Sequence, residues 1–167
     1  MPPFDIRRLE IADVEDYRAI RLDSLQNDPD SFGALYEIEA ARPIADFAER
    51  LASSIVLGAY AGGRLVGVAG LRQETGPKER HKGVVWGVYV RPDSRGRGLA
   101  AALIAGLVAR AQPLVEQLIL SVVQGNAAAI ALYRRHGFTV YGVEPRARKH
   151  LGTYVDKVLM VRDLRPG

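Results

Sequence analysis

The chain has 167 residues, 48% of them hydrophobic and 25% charged, a composition typical of a folded globular protein and not of a disordered tail or a fibre. It contains no cysteine, which excludes disulfide bonds, iron–sulfur clusters, cysteine-bound zinc and a cysteine nucleophile. Its net charge of +4 is unevenly divided, since residues 1–84 hold 11 basic and 14 acidic side chains and residues 85–167 hold 12 and 5.

The first part of the chain predicts a strand followed by two helical stretches. Phe4–Leu9 predicts a short strand. Asp13 is the expected N-cap of a helix whose apolar residues recur at helical spacing as far as Leu25. A second, less regular helical stretch is interrupted at Pro43 and resumes as far as Leu51.

The middle of the chain predicts three strands. Ile55–Ala61 and Leu65–Leu71 are rich in β-forming residues and are separated by the pair Gly62-Gly63, which favours a two-residue hairpin turn. A polar loop then leads to a strand at Val84–Val90.

The remaining elements alternate between helix and strand. We expect helices at Arg97–Ala111 and Ala127–His136, and strands at Leu118–Val123, Phe138–Val143 and Tyr154–Val161. The whole order is βααβββαβαββ, in which the strand–helix–strand crossover should be parallel and right-handed. The sequence therefore predicts a single α/β (α+β) domain over residues 1–167, with one mixed, mostly antiparallel sheet and helices on both faces.

Membrane and metal-binding classes are not favoured. The longest apolar run, Leu99 to Ala109, is far shorter than the roughly 20 residues that a membrane-spanning helix needs. The first residues lack the basic and apolar regions of a signal peptide, so we expect a cytoplasmic protein with no membrane partner. The three histidines have no ligand-like spacing, and we expect no metal.

The residues between the third predicted strand and the next helix predict an anion site. Gly96 and Gly98 leave backbone N–H groups unobstructed at the start of the helix, where the helix dipole is positive. Arg95 and Arg97 add positive charge, with Arg91 as a further candidate, and phosphate is the expected anion.

Two phosphate-binding interpretations fit this segment. Residues 96–101 match G-x-G-x-x-G/A, the fingerprint of dinucleotide-binding proteins. That interpretation requires an acidic residue at the end of the next strand, but the nearest acid, Glu116, precedes that strand. The antiparallel strands upstream also disfavour a doubly wound sheet.

The second interpretation is the pattern Arg-x-x-Gly-x-Ala, filled by Arg95, Gly98 and Ala100. It resembles the acyl-CoA-binding motif of the GNAT superfamily of N-acetyltransferases. The segment Asn126–Phe138 is similar to a second motif of that superfamily, N-x-x-A-x-x-x-Y-x-x-x-G-F, and it follows the next strand as it does there.

The resemblance implies a set of contacts with acetyl-CoA and no metal. The main-chain amides from Arg95 to Ala100 would bind the coenzyme diphosphate, Val90 would pair with the pantetheine arm, and Asn126 would bind that arm where the parallel strands splay apart. The full set of expected coenzyme contacts is Val88, Tyr89, Val90, Arg95, Gly96, Arg97, Gly98, Leu99, Ala100, Asn126, Ala129 and Tyr133.

The resemblance also implies two catalytic groups. The amide of Val88 would polarise the thioester carbonyl, an effect typically worth about 10²–10³ in rate. Tyr133 would donate a proton or a hydrogen bond to the departing thiolate, since a phenol of pKa near 10 is neutral at physiological pH. The alternative for Tyr133 is an ordinary core residue of an amphipathic helix.

The general base stays open between Glu74, Glu79, His81 and a relay of water molecules.

The resemblance places the acceptor cleft against the first helices and the late strands, with Phe32, Tyr36, Glu37, Glu39, Tyr154 and Asp156 as candidate contacts. The acidic first half favours a cationic amine, and the acceptor stays open between a small amine, an amino acid, an aminoglycoside and the N-terminus or a lysine of a peptide or protein. Trp86 is expected to fill the core beneath the cleft. The cluster Arg146, Arg148, Lys149 and His150 is expected to be a solvated loop.

Three function classes follow. The resemblance favours an N-acetyltransferase in which a primary amine attacks acetyl-CoA directly in a ternary complex, because no cysteine can carry the acyl group. A non-catalytic acyl-CoA-binding module is the alternative. A nucleic-acid binder is disfavoured because the basic residues are not interleaved with aromatic ones. Members of the superfamily often form dimers, which makes a homodimer a further expectation.

Overall fold

The structure is a computed structural model that describes residues 3–167. Its strands are β1 Phe4–Arg8, β2 Ile55–Ala61, β3 Arg64–Gln73, β4 Lys82–Val90, β5 Gln117–Val123, β6 Thr139–His150 and β7 Thr153–Asp163. Its helices are α1 Val14–Asn27, α2 Tyr36–Ala40, α3 Ile44–Ser53, α4 Leu99–Ala111 and α5 Ala127–Arg135. The predicted order of elements is confirmed except that the second helical stretch forms two separate helices, α2 and α3, on either side of Pro43.

The seven strands hydrogen bond in the order β1-β2-β3-β4-β5-β7-β6. The pairs β1–β2, β2–β3, β5–β7 and β6–β7 are antiparallel, and β4 runs parallel to β5. This confirms a mixed sheet in an α/β fold. No helix among residues 3–167 is long and apolar enough to cross a membrane.

The chain divides into two compact units. The first unit contains the residues up to Arg72 together with Val85–Arg110, and the second contains Gln73–Val84 and Ala111–Gly167. The first unit has a core of buried side chains from α1, α3, β2, β3, β4 and the residue after β1, namely Leu9, Tyr17, Ile20, Phe47, Leu51, Val56, Leu65, Val68 and Tyr89. The second unit buries apolar side chains of β5, β7 and the turn between α5 and β6, among them Leu118, Leu120, Phe138 and Met160.

Two local predictions are confirmed by backbone geometry. Gly62 and Gly63 have φ of +57° and +76°, the left-handed values that a two-residue hairpin turn between β2 and β3 requires. Asp13 is the N-cap of α1, as expected, but its carboxylate accepts a hydrogen bond from the backbone N–H of Glu10 at 2.8 Å and pairs with Arg7. It therefore stabilises the turn before the helix and not the helix itself.

The prediction of a solvated loop after Val143 is wrong, because its residues belong to β6, among them Arg146, Arg148, Lys149 and His150. The pairing of β6 with β7 is interrupted between Glu144 and Arg148 and resumes with Arg148 opposite Val155. Arg146 has φ of +48°, so the strand bulges there and continues. The bulge breaks the alternation of side chains, which explains why the pattern predicts a strand end at Val143.

Candidate active site

The segment between β4 and α4 has the backbone geometry of an anion site. Gly96 and Gly98 have φ of +79° and +77°, conformations that residues with a Cβ rarely adopt. A Cβ placed on either glycine would meet no other atom within 4 Å. The loop therefore depends on glycine for its backbone conformation, while the space beside it is open.

Helix α4 begins at Leu99, directly after this loop. The N–H of Ala102 donates to the carbonyl of Gly98 at 3.0 Å, which is the first bond of the helical pattern. By helix geometry, the N–H groups of Leu99, Ala100 and Ala101 have no acceptor within the helix. These donors and the positive end of the helix dipole suit a bound phosphate group.

The arginines of the loop have different surroundings. Arg95 is exposed, donates from Nε to the carbonyl of Val90 at 3.0 Å, and lies with its guanidinium 5.7 Å from the centre of the Tyr89 ring. Arg91 donates from Nε to the carbonyl of Leu65 at 2.9 Å and pairs with Asp23 at 3.1 Å. Arg91 thus anchors the end of β4 and has its charge compensated, so it is a poor candidate for the anion site.

Tyr89 is anchored in the core of the first unit. Its hydroxyl donates to Asp23 at 2.8 Å and accepts from the side-chain amide of Asn27 at 3.2 Å, and its ring packs edge-on against Phe32 at 6.3 Å. Burial and the hydrogen bond to Asp23 raise the pKa of Tyr89. Because the side chain is fully engaged, any contact of Tyr89 with a coenzyme would come from its backbone.

A feature missed by the sequence analysis lies just before Val88. Gly87 has φ of +62° inside β4, where ordinary strand residues have negative φ. A left-handed residue in a strand reorients the peptide groups that follow it, as in a β-bulge. A glycine within the apolar run of β4 is the sequence signal that indicates such a bulge.

Asn126 and Ala129 interact with each other at the start of α5. Asn126 is the N-cap, and its Oδ1 accepts a hydrogen bond from the N–H of Ala129 at 3.2 Å. The Nδ2 group of Asn126 remains a possible donor. Since its N–H is engaged by the cap, Ala129 can offer a coenzyme only its methyl group and its carbonyl.

Tyr133 lies on α5 and is 7% exposed. Its ring packs edge-on against Phe138 at 5.8 Å, as a core residue would. Burial raises the pKa of Tyr133 to about 12, above the ordinary phenol value assumed from the sequence. The phenol is therefore neutral at physiological pH, and it is better suited to donating a hydrogen bond than to giving up its proton.

The three candidate bases lie in the second unit, in the segment from Glu74 to His81. His81 is exposed, and its carbonyl accepts hydrogen bonds from the backbone N–H groups of Glu116 and Gln117. Glu79 pairs with Lys82 at 3.8 Å. Neither contact identifies a base, so the choice among them stays a prediction.

Within residues 3–167 no group of three or more histidine, aspartate or glutamate side chains could hold a metal ion.

A cavity of about 580 Å³ lies in the first unit and is open to solvent. We call it the arginine cavity, because its charged lining consists of Arg21, Arg42, Arg50 and Arg72 with Glu39. Its apolar lining includes Leu35, Ile38 and Trp86.

Glu39 organises the arginines of this cavity. It is 3% exposed, and Arg50 binds both of its oxygens, at 2.9 and 2.8 Å. Arg21 lies 3.2 Å from Oε1, and Arg42 lies 2.9 Å from Oε2. Burial alone would disfavour ionisation, but the hydrogen bonds and charges of Arg50 and Arg21 outweigh it and lower the pKa of Glu39.

The residues expected around the acceptor have different surroundings in the structure. Glu39 and Trp86 line the arginine cavity, whereas Phe32 packs against Tyr89 and Glu37 is exposed. In the second unit, Tyr154 is 50% exposed and lies against Arg146 and Lys149, and Asp156 accepts from the backbone N–H of Arg146. Tyr36 is half-buried.

Comparison with known proteins identifies the family. The family model described as the acetyltransferase (GNAT) family matches residues 17–138. An L-methionine sulfoximine/L-methionine sulfone acetyltransferase of Pseudomonas aeruginosa is 36% identical over 115 residues, which span 67% of this chain. The same stretch is 66% of that relative's length, slightly under two thirds.

Solved structures share the fold. A ribosomal-protein-alanine N-acetyltransferase of Brucella melitensis is 28% identical, with a TM-score of 0.81 over 95% of this chain and 99% of that chain. A Salmonella typhimurium protein solved with its cofactor acetyl-CoA is 22% identical, with a TM-score of 0.81 over 99% and 96% of the two chains. Because the family model covers more than half of its residues, this chain belongs to the GNAT family of acetyltransferases.

Proposed function

We propose that this chain is an N-acetyltransferase that moves an acetyl group from acetyl-CoA to a primary amine, within one catalytic domain. The observation that carries the proposal is the glycine loop at the start of α4. Gly96 and Gly98 hold left-handed conformations directly before a helix of 13 residues whose first amides have no helical acceptor. Family membership supports the same assignment.

The residues of this loop fit a diphosphate. The main-chain amides from Arg95 to Ala100 bind its oxygens. The open space beside Gly96 and Gly98 lets the diphosphate approach the main chain closely. The exposed Arg95 and the half-buried Arg97 add positive charge. Arg91 has no direct part in this binding, because it is paired with Asp23.

The end of β4 holds the acyl-bearing arm. Val90 hydrogen bonds to the amide groups of pantetheine, as a further strand would pair with a sheet edge. The N–H of Val88 binds the carbonyl oxygen of the acetyl group and stabilises negative charge on it during the attack. The left-handed Gly87 supports this role, because it reorients the peptide groups next to Val88.

Acetyl-CoA supplies the acetyl group as a thioester when it is bound. The amine nitrogen forms a bond to the carbonyl carbon, the carbon–sulfur bond breaks, and its electron pair stays on sulfur. The proton that the nitrogen loses on becoming an amide passes to the thiolate or to solvent. Tyr133 donates a hydrogen bond to that sulfur from its neutral phenol. Asn126 holds the pantetheine arm with its Nδ2 group while its Oδ1 caps α5.

The attack is direct, because the chain has no cysteine to carry an acyl group. Before the attack the amine must lose a proton, either to Glu74, Glu79 or His81 or to water. The name of the Pseudomonas relative, an acetyltransferase of methionine derivatives, supports a small amine as the acceptor.

A thiol-release assay with acetyl-CoA and a broad amine library tests this proposal. We expect release of coenzyme A that depends on both the protein and an amine, together with an N-acetylated product identified by mass spectrometry. If acetyl-CoA binds but no amine in the library is acetylated, the chain is an acyl-CoA-binding module and the proposed catalysis is contradicted.

A further inference from the structure

The arginine cavity contains hydrogen-bond donors that the protein itself does not use. Arg21 contacts Glu39 only through Nε. Among the described residues its two terminal nitrogens, which carry four N–H groups, donate to no acceptor. The Arg21 side chain is only 14% exposed, so these donors are partly removed from water.

Trp86 lines the same cavity. Its indole Nε1 is buried and, within residues 3–167, has no hydrogen-bond partner. The ring is fixed in place, because a Cβ on Gly70 would come within 2.4 Å of it.

The charge of the cavity is positive. Arg21, Arg42 and Arg50 share the single carboxylate of Glu39, and Arg42 alone also reaches Asp46, at 3.4 Å. The expectation that an acidic first half binds a cation therefore does not describe this cavity, since Glu39 is already neutralised by arginines. A planar oxyanion suits the remaining guanidinium donors.

The cavity also adjoins the strand that carries the proposed chemistry. Trp86 precedes Val88 by two residues in β4, with the left-handed Gly87 between them, so the two residues are at most about 7 Å apart along the chain. This spacing allows one small molecule to place an oxyanion in the cavity and an amine near the amide of Val88. The apolar lining of Leu35 and Ile38 leaves room for a short side chain.

We infer that the arginine cavity binds the carboxylate of the acceptor, and that the acceptor is a free amino acid. The inference rests on the proposed function for the transfer itself, and it adds the substrate class. The terminal nitrogens of Arg21 donate to the carboxylate, while Glu39 orients the arginines.

Binding can be measured without acetyl transfer, because Trp86 is the single tryptophan of the chain. The common L-amino acids are titrated against the protein, each beside its own α-carboxamide, with tryptophan fluorescence as the readout. The carboxamide keeps the amine and side chain and removes only the negative charge. We expect at least one amino acid to bind about tenfold or more tightly than its carboxamide.

Arg21→Lys keeps a positive charge but loses the planar fork, and it should abolish most of that preference. Arg165→Gln is the matched control, because Arg165 also pairs with a carboxylate but does not line the cavity. If Arg21→Lys does not fold, as judged by circular dichroism, Arg42→Gln replaces it, since Arg42 is 45% exposed and leaves Arg50 on Glu39.

The outcomes separate this inference from the proposed function. Preference for the carboxylate that is lost in Arg21→Lys and kept in Arg165→Gln supports the inference. Equal binding of every amino acid and its carboxamide overturns it, even if other amines are acetylated. A carboxylate preference in binding with no acetylation of any amine supports the carboxylate site and contradicts only the proposed catalysis.

Discussion

Glu39 and Arg50 form a two-bond ion pair in which both carboxylate oxygens of a 3% exposed side chain are held, at 2.9 and 2.8 Å. The pair joins the short helix α2 to α3, and Arg21 joins α1 to the same carboxylate. A buried carboxylate with three arginines thus connects the first three helices.

We expect Glu39→Gln to lower the free energy of unfolding by about 3–5 kcal/mol, because it leaves partly buried arginines without a counter-charge. Urea unfolding followed by circular dichroism measures the change. Asp163→Asn is the control, since it removes a carboxylate from an exposed pair with Arg165 and should have little effect. A loss in Glu39→Gln no larger than in the control would contradict this role.

The same carboxylate predicts a pH dependence of stability. Its pKa is lowered in the folded protein, so its contribution is present above the ordinary glutamate pKa near 4.5 and is lost as pH falls through the folded value. The unfolding free energy of the wild type should therefore fall between pH 6 and pH 3 more steeply than that of Glu39→Gln. Parallel curves for the two proteins would show that Glu39 does not titrate as argued.

Gly98→Val should abolish measurable binding of acetyl-CoA in calorimetry, because valine disfavours the left-handed conformation at the start of α4 and fills the space beside it. Gly152→Val is the matched control. Gly152 has nearly the same φ, +79°, and equally open surroundings, but it lies in the turn between β6 and β7. If both variants bind acetyl-CoA like the wild type, the loop is not the coenzyme site.

Tyr133→Phe should lower kcat by about 10–100-fold with little change in the affinity for acetyl-CoA, because only the hydrogen bond to the leaving sulfur is lost. Tyr141→Phe, a change at a 56% exposed tyrosine, serves as control. Because the pKa of Tyr133 is about 12, its phenol stays protonated up to pH 10, and Tyr133 should cause no fall in kcat there. Unchanged turnover in Tyr133→Phe would remove it from catalysis.

Gly87→Ala should lower kcat at least tenfold, because an alanine disfavours φ of +62° and the amide of Val88 would lose its orientation. Gly62→Ala is the control for the cost of the left-handed conformation itself, since Gly62 has φ of +57° in the β2–β3 turn. Steady-state kinetics of both variants test the prediction. Equal effects on kcat would mean that Gly87 affects folding alone.

The order of elements and the glycine loop could be predicted from sequence because both depend on local patterns. Continuous runs of apolar, β-forming residues mark β2 and β3, and the pair Gly62-Gly63 marks the turn between them. Glycines before an apolar helix mark the proposed anion site in the same way. Such signals lie within a few consecutive residues, so a single sequence reveals them.

The arginine cavity could not be predicted, because it depends on residues distant in sequence. Glu39 is 18 residues from Arg21 and 11 residues from Arg50, and only the packing of three helices brings them together. In the sequence, these three residues cannot be distinguished from ordinary charged surface residues. The bulge at Arg146 was missed for a different reason, since it interrupts the alternation by which a strand is recognised.

The central claim is that the main-chain amides from Arg95 to Ala100 bind the diphosphate of acetyl-CoA. A crystal structure of the protein with coenzyme A tests it most directly. The account predicts diphosphate oxygens within hydrogen-bond distance of several of these nitrogens, in front of the first turn of α4. A diphosphate bound elsewhere, with this loop in contact with no part of the coenzyme, would contradict it.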